Sequence, residues 1–253
     1  MADYSFLFFI ALGIGVIVAL SVWTKKVKEK RAALTAETAD KLGGTYQSNN
    51  STLTQNIKVL MGGERSARIS NAIYFDADNG RQLIWAEYSH VVNSGKSSSR
   101  VYRTTLVLSL NDEDDVPPFS LRRKRFMDSI GGWFGWAPIE SPYLAELNET
   151  SSLFAKRDKV DAVRDYFEAR SELAQFCQYN RDYSLASNGR CLVFYKPNRY
   201  LEPTVDHVSR EIEKGRELGR LVWAKAGSYT GRGWDDDFAP PEPDWLKELK
   251  GGG

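Results

Sequence analysis

The residues best suited to catalysis or metal binding are few: His90, His207, Cys177 and Cys191. Neither histidine has a second histidine, a cysteine or a carboxylate at a recognised metal-ligand spacing. His207 precedes Glu211 by one helical turn, which is typical of a surface pair. The two cysteines are most simply ordinary thiols of a reducing compartment, and no neighbouring base is indicated that would activate either of them. These residues predict no catalytic site and no metal site.

Two short segments imitate ligand-binding loops. The segment 95–97 reads Gly-Lys-Ser, like the end of a phosphate-binding loop, but His90 stands where the first glycine belongs. The segment 111–115 carries four consecutive carboxylates, but it lacks the glycine and the distant glutamate of a calcium loop. We therefore predict a solvated turn there, no cofactor and no enzymatic activity.

A basic cluster is the stronger candidate for a binding surface. Two tryptophans follow it closely, and the set comprises Arg122, Arg123, Lys124, Arg125, Trp133 and Trp136. Such a cluster beside aromatic rings could contact anionic lipid headgroups or an acidic partner protein. The alternative is that the cations form the solvated face of a short helix over 122–130 and the rings belong to the core.

An uncharged segment near the start predicts a membrane anchor. Phe6 to Trp23 are 18 residues without a charge, close to the roughly 20 that cross a bilayer. Tyr4 and Trp23 flank the segment, as aromatic residues do at membrane interfaces. A cleaved signal peptide is the alternative, but only Asp3 is charged before the segment and no cleavage signal follows it. The sequence predicts an anchor over residues 1–23.

The flanking charges predict the orientation of this anchor. Five cations follow it: Lys25, Lys26, Lys28, Lys30 and Arg31. Positive residues stay on the cytoplasmic side, so we expect the N-terminus outside the inner membrane and the body in the cytoplasm. The same cations could also attract anionic lipid.

Small residues recur on one face of the anchor, at Ala11, Gly15 and Ala19. This spacing lets a second membrane helix approach closely, which predicts a helix-packing face. The alternative is that glycine and alanine are simply common in membrane helices.

The rest of the chain predicts an α+β body. One helix should run from about residue 5 to 42, continue through a juxtamembrane part over 24–44 and end at Gly43-Gly44. Alternating patterns predict an antiparallel sheet, with two long helices in the body over 45–226. The strands are expected at 67–75, 81–92, 102–110, 152–155, 183–186 and 191–195, and the long helices at 158–177 and from Pro203 to 226.

Residues 227–253 have a different composition, rich in glycine, proline and aspartate. They predict an extended tail with four aromatic residues that could bind a groove on a neighbouring subunit: Tyr229, Trp234, Phe238 and Trp245. The alternatives are that the tail wraps over its own body, or that it is a disordered end.

Overall composition is that of a globular protein. The 253 residues are 42% hydrophobic and 26% charged, and their net charge is +1. These values exclude wholesale disorder, and they give no basic field for a nucleic-acid partner.

Several motifs resemble a family of uncharacterised bacterial single-pass membrane-anchored proteins. They read LTAETADKLGGTY, TTLVLSL, VPPFSLRRKRFMDSIGG, SSLFAKRDKVDAVRDYF and NGRCLVFYKPN. The family's two short motifs correspond here to Pro118, Phe119 and Leu121, and to Phe154, Asp158, Val163, Arg164 and Phe167. The likeness covers most of 34–222 and implies an α+β fold and a membrane anchor, with no catalytic residue.

These features together predict a membrane-tethered, non-enzymatic interaction module, an accessory or structural subunit of a larger membrane complex. The expected partners are other membrane protein subunits and anionic lipid. Two alternatives remain: a membrane-anchored sensor of lipid or a small ligand, and an enzyme of unrecognised type.

Overall fold

The structure is a computed structural model in which nine strands and six α-helices are described, and the chain is α+β. The structure describes residues 4–61, 66–77, 80–94, 97–124, 136–197 and 199–223; for 4–11 and 93–94 it describes the backbone alone. Two compact units are present: Met1–Val107 with Lys196–Ser209, and Leu108–Tyr195 with Arg210–Gly253.

The first unit combines a long helix with antiparallel strands. Its strands neighbour one another in the order β1-β2-β3-β4, and β2 pairs with β3 antiparallel through Ile73 opposite Trp85. The elements are α1 (Tyr4–Lys41), β1 (Thr45–Ser48), α2 (Ser51–Met61), β2 (Arg68–Asp76), β3 (Gln82–Ser94) and most of β4 (Ser97–Ser109).

Helix α1 is continuous, which confirms the single helix expected over 5–42. It ends where the glycine pair was expected to stop it, because Gly43 adopts a left-handed backbone with φ of 69°. The Gly44 amide then donates to the Ala39 carbonyl at 2.8 Å. A Cβ on Gly44 would lie 2.6 Å from the Ile73 side chain, so close packing also requires glycine there.

The second unit contains the remaining strands in the order β9-β8-β5-β7-β6. Its core includes Phe119, Leu153, Phe167 and Leu173, each at most 1% exposed. The elements are β5 (Phe119–Arg123), β6 (Trp136–Pro138), α3 (Ala145–Thr150), β7 (Ser151–Lys156), α4 (Val160–Glu168), α5 (Ser171–Tyr179), β8 (Ser184–Ser187), β9 (Cys191–Tyr195) and most of α6 (Val205–Trp223).

The prediction of a helix over 122–130 is wrong for its first two residues, which belong to a strand. Residues 119–123 form β5, which pairs antiparallel with β7 on one side and β8 on the other. Phe119 and Leu121 are buried at the period of two that a strand requires. The four basic residues that follow Leu121 obscured this alternation in the sequence.

The first of the two long helices expected in the body is divided into two. Helices α4 and α5 replace a continuous helix over 158–177, and Asp158 belongs to a preceding 3-10 turn instead of capping α4. Phe167 and Phe176 are nine residues apart, so a straight helix of about 100° per residue would point them in opposite directions. Both rings are buried, and the break at Ala169 and Arg170 allows this.

Helix α2 was absent from the sequence-based prediction, although its signals are present. Asn50 accepts a hydrogen bond from the Leu53 amide at 2.7 Å, as an N-cap does. Leu53, Ile57 and Met61 then recur every four residues and are buried. The elements β1, β6 and α3 were also not predicted, and each has six residues or fewer.

Candidate functional site

The early part of α1 carries apolar side chains that nothing in the described chain covers. The large ones from Leu12 to Val27 are between 47% and 65% exposed, whichever side of the helix they occupy. Because a helix packed against the body would bury one stripe of such residues, this part of α1 makes no packed face with the described residues.

Among the described residues, no helix contains a stretch of sufficient length and apolarity to cross a membrane. The uncharged segment 6–23 begins before Leu12, the first α1 residue whose side chain is described. Ala11 therefore lies outside the described side chains. Gly15 and Ala19 are exposed, and a Cβ added to Gly15 would meet nothing within 4 Å.

The later part of α1 is fastened to the first unit by a buried carboxylate. Arg31 Nε donates to Glu87 Oε1 at 2.5 Å, and Asn71 Nδ2 donates to Oε2 at 2.7 Å. The Tyr200 hydroxyl donates to Oε2 at 3.1 Å, and the Ser70 hydroxyl does so at 3.4 Å. The Glu87 side chain is 1% exposed, so these donors replace the water that a carboxylate would otherwise bind. We call these five residues the stem cluster.

The stem cluster joins α1 to two other segments. The Arg31 guanidinium also donates to the Leu201 carbonyl and lies 4.0 Å from the centre of the Tyr200 ring. About two turns further along, the Thr38 hydroxyl donates to the Pro203 carbonyl at 2.7 Å. Burial and the nearby Glu87 raise the pKa of Tyr200, which therefore keeps its proton and remains a donor.

The stem cluster was missed in the sequence, where Arg31 was one of five cations expected to attract lipid. Arg31 instead forms an ion pair with Glu87, and Lys25 Nζ lies 3.9 Å from Glu29 Oε1. A usable signal existed: Glu87 is the only charged residue in the otherwise largely apolar segment 83–88. A carboxylate in a buried strand requires a cation or several donors.

The basic cluster is only partly described. Arg125 and Trp133 lie outside the described residues. Arg122 and Arg123 are consecutive on β5 and so point to opposite faces of the sheet. The Arg122 guanidinium lies 4.6 Å from the centre of the Phe154 ring, whereas Arg123 and Lys124 are exposed. Trp136 is half-buried on β6.

Predictions for the remaining candidate residues have mixed outcomes. Neither cysteine forms a disulfide bond with the described residues, as expected, and both are buried; burial raises the pKa of Cys177 to about 12 and that of Cys191 to about 11. The prediction that His207 and Glu211 form a surface pair is wrong. Glu211 is buried and accepts hydrogen bonds from Tyr183 at 3.0 Å and from Lys214 at 3.1 Å.

The acidic segment is more ordered than a solvated turn. Residues 112–114 form a 3-10 turn, and the Asn111 amide donates to the buried Asp114 carboxylate at 2.7 Å. Within the described ranges, no three histidine, cysteine or acidic side chains come together as a metal site. The tail residues Tyr229, Trp234, Phe238 and Trp245 all lie outside the described chain.

His90 is a buried histidine of the first unit. Its Nδ1 has no hydrogen-bond partner among the described residues, and its ring lies 5.6 Å from that of Tyr88. Burial lowers the pKa of His90, and repulsion from Arg103 and Arg100 lowers it further. The folded state therefore favours the neutral ring.

This lowered pKa predicts acid destabilisation. Below a pH of about 6.5 the unfolded chain takes up a proton at His90 that the folded chain resists, so the free energy of unfolding decreases as pH falls. His90→Gln should reduce that decrease between pH of about 7.5 and 5.5. Denaturant titrations at each pH measure it, with His207→Gln as the control. If the free energy of unfolding depended on pH equally in the wild type and in His90→Gln, the lowered pKa of His90 would be contradicted.

Comparisons with known proteins leave the family open. No family model matches the chain, and no curated protein matches it. The chain is similar to the crystal structure of the mycobacterial trehalose monomycolate transport factor A, TtfA, with a TM-score of 0.47 and 11% sequence identity. That similarity covers 76% of this chain and 96% of that chain. The resemblance to the anchored bacterial family therefore stays a prediction.

Proposed function

We propose that this chain is a non-enzymatic accessory subunit of a larger membrane assembly, held at the membrane by α1 with its body in the cytoplasm. The observation that carries the proposal is the contrast along one continuous helix. Its early part exposes apolar side chains on every side, and its later part is fastened by the stem cluster.

The exposed apolar part of α1 supports membrane attachment. Leaving large apolar side chains in water costs free energy, about 25 cal/mol per Å² of apolar surface. The uncharged segment 6–23 would remove this cost if lipid or another membrane helix surrounded it. The lysines that follow, Lys25 to Lys30, would then lie in the headgroup layer on the cytoplasmic side.

The fastened part of α1 supports a structural role. A tether joined to the body by a flexible linker would leave the body free to rotate. Here Arg31 and Thr38 fix the helix against residues of the first unit, so that unit would take a set orientation to the membrane plane. Such an orientation is useful to a subunit that contacts fixed neighbours.

Fractionation of cells that express the full chain tests this proposal. We expect the chain in the membrane fraction after an alkaline carbonate wash, because an inserted helix resists extraction that removes peripheral proteins. Protease added outside intact cells should leave residues 24–253 intact, and protease added to inverted vesicles should digest them. Release by carbonate, or digestion from outside, would contradict the attachment or the orientation.

A further inference from the structure

The second unit contains a polar pocket of about 380 Å³. Six residues line it: Arg123, Lys124, Glu149, Thr150, Arg181 and Asp182. We call it the basic pocket, because three cationic side chains meet there from two distant parts of the chain. Arg181 was not among the residues expected to bind anything.

Two local structures bring the cations together. Arg123 ends β5, and the Lys124 amide donates to the Thr150 carbonyl at 3.0 Å, which holds this segment beside the end of α3. Arg181 lies just after α5, in a turn closed by the Tyr183 amide donating to the Asn180 carbonyl at 2.8 Å. The backbone on both sides of the pocket is therefore fixed by hydrogen bonds.

Several donors in the basic pocket are available. Within the described residues, the side chains of Arg123 and Arg181 make no ion pair and no hydrogen bond. Lys124 Nζ donates to the Asn148 carbonyl at 3.0 Å, which leaves two of its three hydrogens. The Thr150 hydroxyl oxygen is buried and has no partner in the described chain.

The acidic residues of the pocket weaken its positive charge without cancelling it. Three cations and two carboxylates give the lining a net charge of +1. Glu149 is exposed and borders the pocket, where it would repel an anion.

We propose that the basic pocket binds a phosphate group. Guanidinium groups match phosphate oxygens with paired N–H donors, and a lysine and a hydroxyl add donors from other directions. A tetrahedral phosphate offers acceptor oxygens in all those directions, whereas a carboxylate offers only two oxygens in one plane. The volume leaves room for the organic group that carries the phosphate. This inference holds whether or not the proposed function is correct.

Calorimetry on the full chain in a neutral detergent tests the proposal, with inorganic phosphate and glycerol 3-phosphate as probes. Arg123→Gln and Arg181→Gln should each weaken binding about tenfold or more, because a charge-assisted hydrogen bond contributes about that factor. Both side chains are exposed, so the fold should tolerate the changes. Glu149→Gln should strengthen binding, since it removes a repulsive charge.

Arg164→Gln is the matched control. It removes the same charge from the same unit, but at an exposed pair with Asp161 on α4. We expect its phosphate affinity to equal that of the wild type. No binding at tens of millimolar phosphate, or equal weakening in Arg164→Gln and Arg181→Gln, would overturn the proposal.

Short-chain lipid probes distinguish two sources of the phosphate. Dihexanoyl phosphatidic acid should bind more tightly than glycerol 3-phosphate if the pocket takes a lipid headgroup, and equally if it takes a soluble phosphate ester. Both outcomes support a phosphate site. Dihexanoylglycerol, which lacks the phosphate, should not compete with either probe; competition would show that the acyl chains and not the phosphate are bound, and would overturn the proposal.

Discussion

Glu87→Ala is expected to lower the free energy of unfolding of the first unit by about 3–5 kcal/mol, the usual cost of removing one partner from a buried ion pair. The reason is that the change leaves the donors of the stem cluster without their acceptor. Arg31, whose side chain is only 21% exposed, would keep a charge with no counterion. Denaturant titration of the full chain followed by circular dichroism measures the loss.

Hydrogen exchange adds a local measurement of the same effect. Amides of α1 near Arg31 and Thr38 should exchange faster in Glu87→Ala, because the helix would lose its attachment to the unit. Glu37→Ala is the control: it breaks an exposed pair with Lys41 on the same helix and should leave stability and exchange unchanged. If Glu87→Ala behaved like this control, the stem cluster would not be what holds α1.

Gly15→Leu is expected to reduce recovery of the chain with its membrane partners about tenfold, the equivalent of about 1.4 kcal/mol. A leucine on the predicted packing face would separate two helices that small residues allow to approach. Within the part of the chain that the structure describes, nothing lies within 4 Å of a Cβ at position 15, so the change should leave the fold and membrane insertion intact. Quantitative immunoblotting of the purified assembly measures the recovery.

Gly13→Leu provides a control with the same chemical change. Gly13 also has open space around it, but two residues along a helix rotate it by about 200° to nearly the opposite side. Recovery with partners should therefore be unchanged in Gly13→Leu. Equal losses in both variants would show that bulk anywhere on the helix disturbs assembly, and the face of Ala11, Gly15 and Ala19 would lose its support.

Features set by local chemistry could be predicted from the sequence. The glycine end of α1 is one example, and the hairpin between β8 and β9 is another. In that hairpin Gly189 has a φ of 85°, and the Asn188 side chain accepts hydrogen bonds from the amides of Arg190 and Cys191 at 3.0 Å. Each depends on residues within a few positions, so the sequence alone contains the information.

Features set by packing could not be predicted in the same way. The break between α4 and α5 exists because Phe167 and Phe176 are both buried, and no proline or glycine marks it. The end of β5 was taken for the start of a helix, in a segment where four basic residues follow Leu121. Its assignment depends on β7 and β8, which lie far away in the sequence.

The two candidate sites depend on still more distant pairs. Trp85, Ala86, Glu87 and Tyr88 are all at most 1% exposed, so both faces of β3 are covered. The partner of Glu87 on α1 is 56 positions away, and Arg181 and Lys124 line the same pocket although they come from distant parts of the chain. No spacing rule connects residues so far apart.

Purification of the wild-type chain from its own membranes in a mild detergent tests the central claim most directly. We expect it to elute in a complex with at least one other integral membrane protein, at a ratio that stays constant across the size-exclusion peak. Mass spectrometry of that peak would identify the partner and its stoichiometry. A chain that elutes alone from those membranes, or that is recovered without detergent in the soluble fraction, would contradict the proposed role as an accessory subunit.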